Sequence, residues 1–318
     1  MDLVPKRPTA LQDFVGQNEL TTRLRTIMQG SMARGAKPPH VLLSGPPGTG
    51  KTTLAQVVAH ELDAHLVPTT GPALRNAGDL AGVLFAGEGS EGLTVVFVDE
   101  IHRLPAMVEE SLYEALEDGT LTVVTGSGSD ARSIKHTLPP LVFVAATTKP
   151  GSLSQPLRDR FGFHGTLAPY TADELAFIVG RQWTRNAFEF TMEAALTVAN
   201  RSKGTPRVAL HLADRVLDVA APTGRTVTGP AAAAALDAFG IGERGLDETD
   251  WRIITALCVT FRGRAVGLDA LAQFLNLDRA TIEREYEGPL VRAGYVIRTA
   301  NGRMAGAPAY DLMDGARA

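Results

Sequence analysis

Short apolar runs alternate with helical spacings through the first 170 residues. HVLLS (40–44), TVVFV (94–98) and LVFVAATT (141–148) are continuous enough to be strands buried on both faces. Between them KTTLAQVVAHEL (51–62) carries apolar residues at helical spacing, and PAMVEESLYEAL (105–116) is amphipathic with Pro at its start. Buried strands alternating with helices predict an α/β domain, a parallel sheet with helices on both faces. One stretch breaks the alternation. LTVVTGSGSDARSIKHTL (121–138) has two strand-like arms around a Gly/Ser/Asp turn and predicts a β-hairpin.

From residue 171 the texture becomes helical. TADELAFIVGRQWTRN, TMEAALTVANRS, TPRVALHLADRVLDVA and TGPAAAAALDAFG open on Thr, a favoured cap, and the last closes on Gly. They predict a small all-helical domain. GIGERGLDETD (240–250) is Gly-rich and polar and predicts a linker. Beyond it DETDWRIITALCVTF, GLDALAQFLN and RATIEREYEGPLVRAG predict three helices, and YVIRTANGRMAG two short strands around Ala300-Asn301-Gly302. Helices followed by a hairpin are a winged-helix arrangement. The expected domains are 1–170, 171–242 and 243–318.

Composition narrows the class. The chain has 318 residues, 44% hydrophobic and 21% charged, enough for two or three cores. Its single cysteine, Cys258, allows no disulfide framework and reads as a buried small hydrophobe. The polar opening MDLVPKRPTALQDF lacks the apolar centre of a signal peptide, and no apolar run has the length of a membrane span. A cytoplasmic chain is therefore expected. A net charge of −4 argues against a protein that coats nucleic acid nonspecifically. Residues 279–303 nevertheless hold five arginines (Arg279, Arg284, Arg292, Arg298 and Arg303) against Glu283, Glu285 and Glu287, which permits a local DNA-facing surface.

The most specific motif is GPPGTGKT (45–52), between a strand and a helix. Gly48 and Gly50 let backbone N–H groups close around phosphates, Lys51 would reach the β and γ phosphates, and Thr52 would hold Mg²⁺. VVFVDEIH (95–102) then ends a strand in two acids. Asp99 is placed to bind Mg²⁺ through water, and Glu100 to orient and polarise the attacking water, the few groups that phosphoryl transfer needs. At the end of AATT (145–148), Thr148, with Thr147 as fallback, is expected to bond the γ-phosphate or the water. Arg207, opening a helix in KGTPRVAL, could reach the nucleotide from the small domain.

Taken in order, GPPGTGKTTLA, VDEIHRL, ARSIKHTLPP, ATTKPGSLSQPLRDRFG, KGTPRVA and VIRTANGRMA resemble the RuvB family of AAA+ Holliday-junction branch-migration motors, over about residues 5 to 313. The resemblance implies an AAA+ ATPase domain, a helical lid domain and a winged-helix DNA-binding domain. It implies nucleotide contacts at Lys6, Arg7, Gly48, Lys51, Thr52, Thr53, Tyr170 and Arg207, and it associates Glu117, Asp118 and Gly119 with the nucleotide site. It makes Arg160 an arginine finger and Arg298 and Arg303 contacts to the DNA backbone. It also implies hexameric rings around duplex DNA, loaded on junctions by RuvA through the hairpin. Thr49 stands where the family usually has Leu, Gly119 replaces an aromatic residue, the hairpin turn GSGSD is unusually flexible in composition, and the insert AGEGSEGLT is longer and Gly-rich. Arg160 is surplus to a site already supplied in cis, which fits a role in a neighbouring subunit. The leading expectation is an ATP-driven DNA motor. A nucleotide-switched, clamp-loader-like loader or scaffold shares the same ATP site and stays open. A DNA-binding regulator with a degenerate ATPase is opposed by Lys51, Asp99, Glu100 and Arg160.

Overall fold

The computed structural model describes residues 7–87, 92–125, 132–222, 224 and 226–315. The chain folds as two units, Met1–Ala168 and Pro169–Ala318.

The first unit runs α1 (Asn18–Ala33), β1 (Val41–Ser44), α2 (Lys51–Glu61), β2 (His65–Thr70), α3 (Ala77–Leu84), β3 (Thr94–Asp99), α4 (Ala106–Glu117), β4 (Thr120–Thr125), β5 (Arg132–Thr137), β6 (Leu141–Thr147), α5 (Gln155–Asp159) and β7 (Phe163–Thr166). Five strands form one sheet in the order β2-β3-β6-β1-β7, all pairs parallel. Successive side chains of a strand point to opposite faces, and here each strand feeds two cores. Val41, Leu43, Val95, Phe97, Val142 and Val144 pack on one face with α1 and α2 residues such as Leu24, Leu54 and Val58. Leu42, Val96, Val98, Leu141, Phe143 and Ala145 pack on the other with Leu80, Leu112 and Leu157 of α3, α4 and α5. The expected helix-covered parallel sheet is therefore present. The apolar runs located the three interior strands. They missed β2 and β7, because these are the sheet's edges: β2 carries Pro68 and is half-exposed along its length, and β7 alternates buried and exposed residues. β4 and β5 pair antiparallel as a separate hairpin. Its turn, 126–131, and residues 88–91 of the Gly-rich insert lie outside the described residues.

The second unit continues with α6 (Ala172–Arg185), β8 (Glu189–Phe190), α7 (Met192–Asn200), α8 (Pro206–Ala220), β9 (Thr226–Val227), α9 (Gly229–Ala238), α10 (Glu248–Thr255), α11 (Leu268–Leu275), α12 (Arg279–Thr281), α13 (Glu287–Arg292), β10 (Val296–Thr299), β11 (Gly302–Ala305) and α14 (Ala307–Gly315). It holds two apolar cores, one around Trp183 within α6 to α9 and one around Leu257, Leu271 and Leu290 within α10 to α14. Thr171, Thr191 and Thr228 accept the expected cap hydrogen bonds, whereas Thr205 precedes α8 without one. The helical domain also contains a two-residue parallel pairing of β8 with β9. A π turn, Ile282–Tyr286, joins α12 to α13, and β10 and β11 make the hairpin.

Residues 240–250, the expected linker, are held by hydrogen bonds. Gly245 N–H donates to Gly242 O, Gly242 N–H donates to Leu246 O, and Leu246 is buried. At Gly245 φ is +69°, and a Cβ there would sit 2.4 Å from Arg201 O, so this turn requires glycine. Beside it Lys203 Nζ donates to Asp247 Oδ2 at 3.1 Å and to Asp250, which is fully buried. Among the described residues no helix is long and apolar enough to cross a membrane.

Candidate nucleotide site and wing surface

The ends of β1, β6 and β3 lie side by side in the sheet, with Ser44 in register with Thr147. Open α/β sheets bind ligands at this carboxyl edge, where the strand order reverses. β1 runs into the Gly-rich loop, and Gly48 and Gly50 take φ of +77° and +100°, which a side chain would strain. Lys51 is 6% exposed, and its Nζ donates to Gly45 O and Pro46 O at 2.8 Å each. Thr49 is fully buried and its hydroxyl donates to Pro46 O at 2.9 Å, so the loop satisfies the polar residue that stands there. Thr53 is half-buried in the first turn of α2.

Thr52 Oγ1 donates to Asp99 Oδ2 at 3.4 Å across the gap between α2 and β3. Glu100 follows in the left-handed region, φ 54°. Its carboxylate receives the Thr148 hydroxyl at 3.4 Å and lies 3.3 Å from His102 Nε2. Thr147 Oγ1 accepts Lys149 N–H at 3.0 Å and pairs with His102 Nδ1, also at 3.0 Å. Nε2 on the other side of the ring faces Glu100. Burial lowers the His102 pKa, against the pull of Glu100, which keeps the ring neutral. Thr147 is fully buried and already engaged, whereas Thr148 is partly exposed beside Glu100.

Arg7 Nη1 donates to Gln56 Oε1 at 2.9 Å, which brings it to α2; Lys6 lies outside the described residues. Arg160 sits elsewhere in the same unit. It caps α5, its guanidinium carbon stands 4.6 Å over the Tyr113 ring, and its Nη2 donates to Glu117 Oε2 at 2.6 Å. Asp118 faces Lys135 at 3.8 Å, and Gly119 turns with φ +66°. Arg160 and Glu117, predicted separately, thus share one surface. Arg158 donates to Gln155 Oε1 within α5, in keeping with a structural residue.

In the second unit Arg207 is exposed in the first turn of α8. Tyr170 is 7% exposed, with its ring in the core of the helical domain and its N–H on Gly204 O at 2.9 Å. On the hairpin Arg298 and Arg303 are directly opposed across β10 and β11. Both reach Glu287, the first residue of α13, with Nε to Oε1 distances of 2.9 and 2.7 Å. Arg279 pairs with the exposed Asp269, and Arg284 Nε bonds Ala280 O. Residue-by-residue reading missed His102, Tyr113 and Glu287. His102 stands inside a motif that was already conspicuous; the other two carry no local sequence signal.

Among the described residues no three His, Cys, Asp or Glu side chains converge as a metal cage. A hydroxyl and a carboxylate 3.4 Å apart are hard oxygen donors of the kind Mg²⁺ takes together with phosphates, so Thr52 and Asp99 fit that ion.

The sheet order, the Gly-rich loop and the acidic strand end define a P-loop ATPase of the AAA+ class, followed by a lid and a winged helix. Three family models divide the chain between them: the Holliday junction DNA helicase RuvB P-loop domain over residues 6–167, the RuvB AAA lid domain over 170–242 and the RuvB C-terminal winged helix domain over 243–314. The Holliday junction branch migration complex subunit RuvB of Oleidesulfovibrio alaskensis is 44% identical over 310 residues, 97% of this chain and 95% of the relative. The subunit of the same name from Nitratiruptor sp. is 41% identical, over 96% of this chain and 91% of its own. The Thermotoga maritima RuvB Holliday junction branch migration motor superposes with a TM-score of 0.86 at 38% identity, covering 97% of this chain and 98% of that one. A point mutant of the same Thermotoga protein gives a TM-score of 0.88 at 37% identity and the same coverage. The chain belongs to the RuvB family.

Proposed function

We propose that this protein is an ATP-driven motor that moves Holliday junctions along duplex DNA in recombination and repair. It acts in the cytoplasm as a hexameric ring loaded by a RuvA-like adaptor on the β4–β5 hairpin. The observation that carries the reading is the joining, on one chain, of a fully furnished nucleotide site to a winged helix whose hairpin presents two opposed arginines.

In this reading the Gly48 and Gly50 turns aim backbone N–H groups at the phosphates, with Thr53 and Arg7 beside the same helix. Lys51 exchanges two loop carbonyls for the β and γ phosphate oxygens. Mg²⁺, held by Thr52 and Asp99, would neutralise charge on those oxygens. Glu100 accepts a proton from the attacking water, and His102 and Thr148 hold its carboxylate in place. Arg207 and Tyr170 act from the lid. Arg160 stabilises developing charge in the site of a neighbouring subunit, with Glu117, Asp118 and Gly119 on the same surface. Its bond to the exposed Glu117 is a partly solvated ion pair worth about 0–1 kcal/mol, so releasing it costs little.

Strand exchange on a synthetic four-way junction, with and without RuvA, tests the proposal. ATP-dependent exchange is expected, with Glu100→Gln binding ATP but failing to turn over or exchange strands. ATPase stimulated by a protein partner with no strand movement would replace the motor with a switched loader.

A further inference from the structure

Two arginines opposed across a two-stranded hairpin repel one another, and like charges at such positions destabilise the pair. Here the buried Glu287 side chain, 2% exposed, lies between them. Arg298 Nε donates to Oε1 at 2.9 Å; Arg303 Nε donates to the same oxygen at 2.7 Å, and its Nη2 reaches Oε2 at 3.4 Å. The backbone of Arg303 is fixed as well, by N–H and C=O bonds of 2.8 Å each to Val266. Every inward-facing donor of the two guanidiniums is thereby committed to one carboxylate. Among the described residues both terminal nitrogens of Arg298 and Nη1 of Arg303 have no hydrogen-bond partner. An arginine has five N–H donors in a rigid fork, so fixing one edge orients the other. The side chain of Arg298 is 57% exposed and that of Arg303 23%, so both side chains still reach solvent.

We propose that Glu287 is a positioning residue for DNA phosphate: it holds Arg298 and Arg303 side by side so that their outer N–H edges form one seat for the backbone. The inference rests on the reading of this hairpin as a DNA contact. Glu287 is an acid next to a phosphate site, so by charge alone its removal should tighten DNA binding. If it positions the arginines, its removal weakens binding although the surface becomes more positive.

The experiment measures affinity of the full chain for a fluorescent duplex of mixed sequence across a potassium chloride series. Four proteins are compared: wild type, Glu287→Gln, Glu287→Asp, and the Arg298→Ala, Arg303→Ala double variant. The double variant should lose affinity, and its slope of log affinity against log salt should fall by about two, one for each phosphate contact. Glu287→Gln should bind about tenfold more weakly, the loss of one well-made charge-assisted contact. Glu287→Asp keeps the charge but is too short to span both guanidiniums, and should also weaken binding. Circular dichroism melting shows whether each variant is folded at the assay temperature, and the Asp variant decides if the Gln variant is not. Equal or tighter binding by Glu287→Gln, or unchanged binding by a folded Glu287→Asp, overturns the positioning role. An unchanged double variant instead removes DNA from this hairpin, a separate failure.

Discussion

Glu100 adopts the left-handed backbone conformation that side chains usually avoid, at a cost of about 1–3 kcal/mol. The strain turns its carboxylate back from the end of β3, between Thr148 and the neutral His102. His102 in turn is set by Thr147, which links the acid to the adjacent strand β6. His102→Ala should therefore lower kcat about tenfold with little change in KM, because a displaced base affects the chemical step more than ATP binding. Steady-state ATPase kinetics check this, and a parallel rise in KM would return His102 to a purely structural place. The gathering of Lys51, Thr52, Asp99 and Glu100 at the ends of two strands was legible in the sequence, because each follows its strand closely along the chain. The contacts of His102 were not, since one of them is to a threonine 45 residues away.

At the scale of elements, strand order follows from where apolar residues are continuous. β1, β3 and β6 are interior and read as runs, while β2 and β7 are edges and do not. His40, just before β1, ties three elements together. Its Nδ1 accepts Phe143 N–H of β6 at 2.9 Å, its Nε2 bonds Leu116 O of α4 at 3.2 Å, and its carbonyl accepts Phe163 N–H of β7. Burial and the nearby Lys37 charge push its pKa from 6.5 down to about 4, against the Leu116 bond. Between those values the unfolded chain binds the proton and the folded chain does not. Stability should accordingly fall as pH drops from 6.5 toward 4, by about 3 kcal/mol from this group. Urea unfolding followed by circular dichroism should show the acid limb in wild type and a shallower one in His40→Gln; identical limbs would assign it to other groups.

The connector between lid and winged helix is a second such joint. Burial alone would lower the Lys203 pKa, but Asp250 and Asp247 outweigh it and keep the ammonium charged. Lys203→Met leaves the buried Asp250 without its counter-charge and should cost about 3 kcal/mol. Adding Asp250→Asn, which keeps an acceptor for Asp247 N–H, should recover part of it, read as urea midpoints monitored by tryptophan fluorescence of Trp183 and Trp251. No recovery would mean that the pair does not act as a unit.

At the scale of the whole molecule, the proposed active site is divided between subunits. Within its own chain Arg160 is held by Tyr113, Pro156 and Glu117, and none of these belongs to the P-loop. Arg160→Ala and Lys51→Ala should each abolish DNA-stimulated ATP hydrolysis. Mixing the two should restore a fraction, because some interfaces then pair an intact P-loop with an intact finger. Titrating one variant into the other tests this, and activity at the floor across all ratios would place both residues in one subunit's site.

The sequence by itself determined the class of machine. The P-loop, the acidic strand end, the helical texture after residue 171 and the Asn-Gly hairpin are local patterns, in which spacing of a few residues dictates backbone shape and chemistry. Tertiary structure decided what those groups lean on: Thr147 behind His102, Tyr113 and Glu117 beneath Arg160, Glu287 between Arg298 and Arg303. Each partner lies on a different element from the group it supports, and such contacts exist once strands and helices pack. Glu287 shows the difference plainly. As sequence it was one acid among arginines, a charge to be subtracted; in the fold it is buried within hydrogen-bonding reach of both guanidiniums.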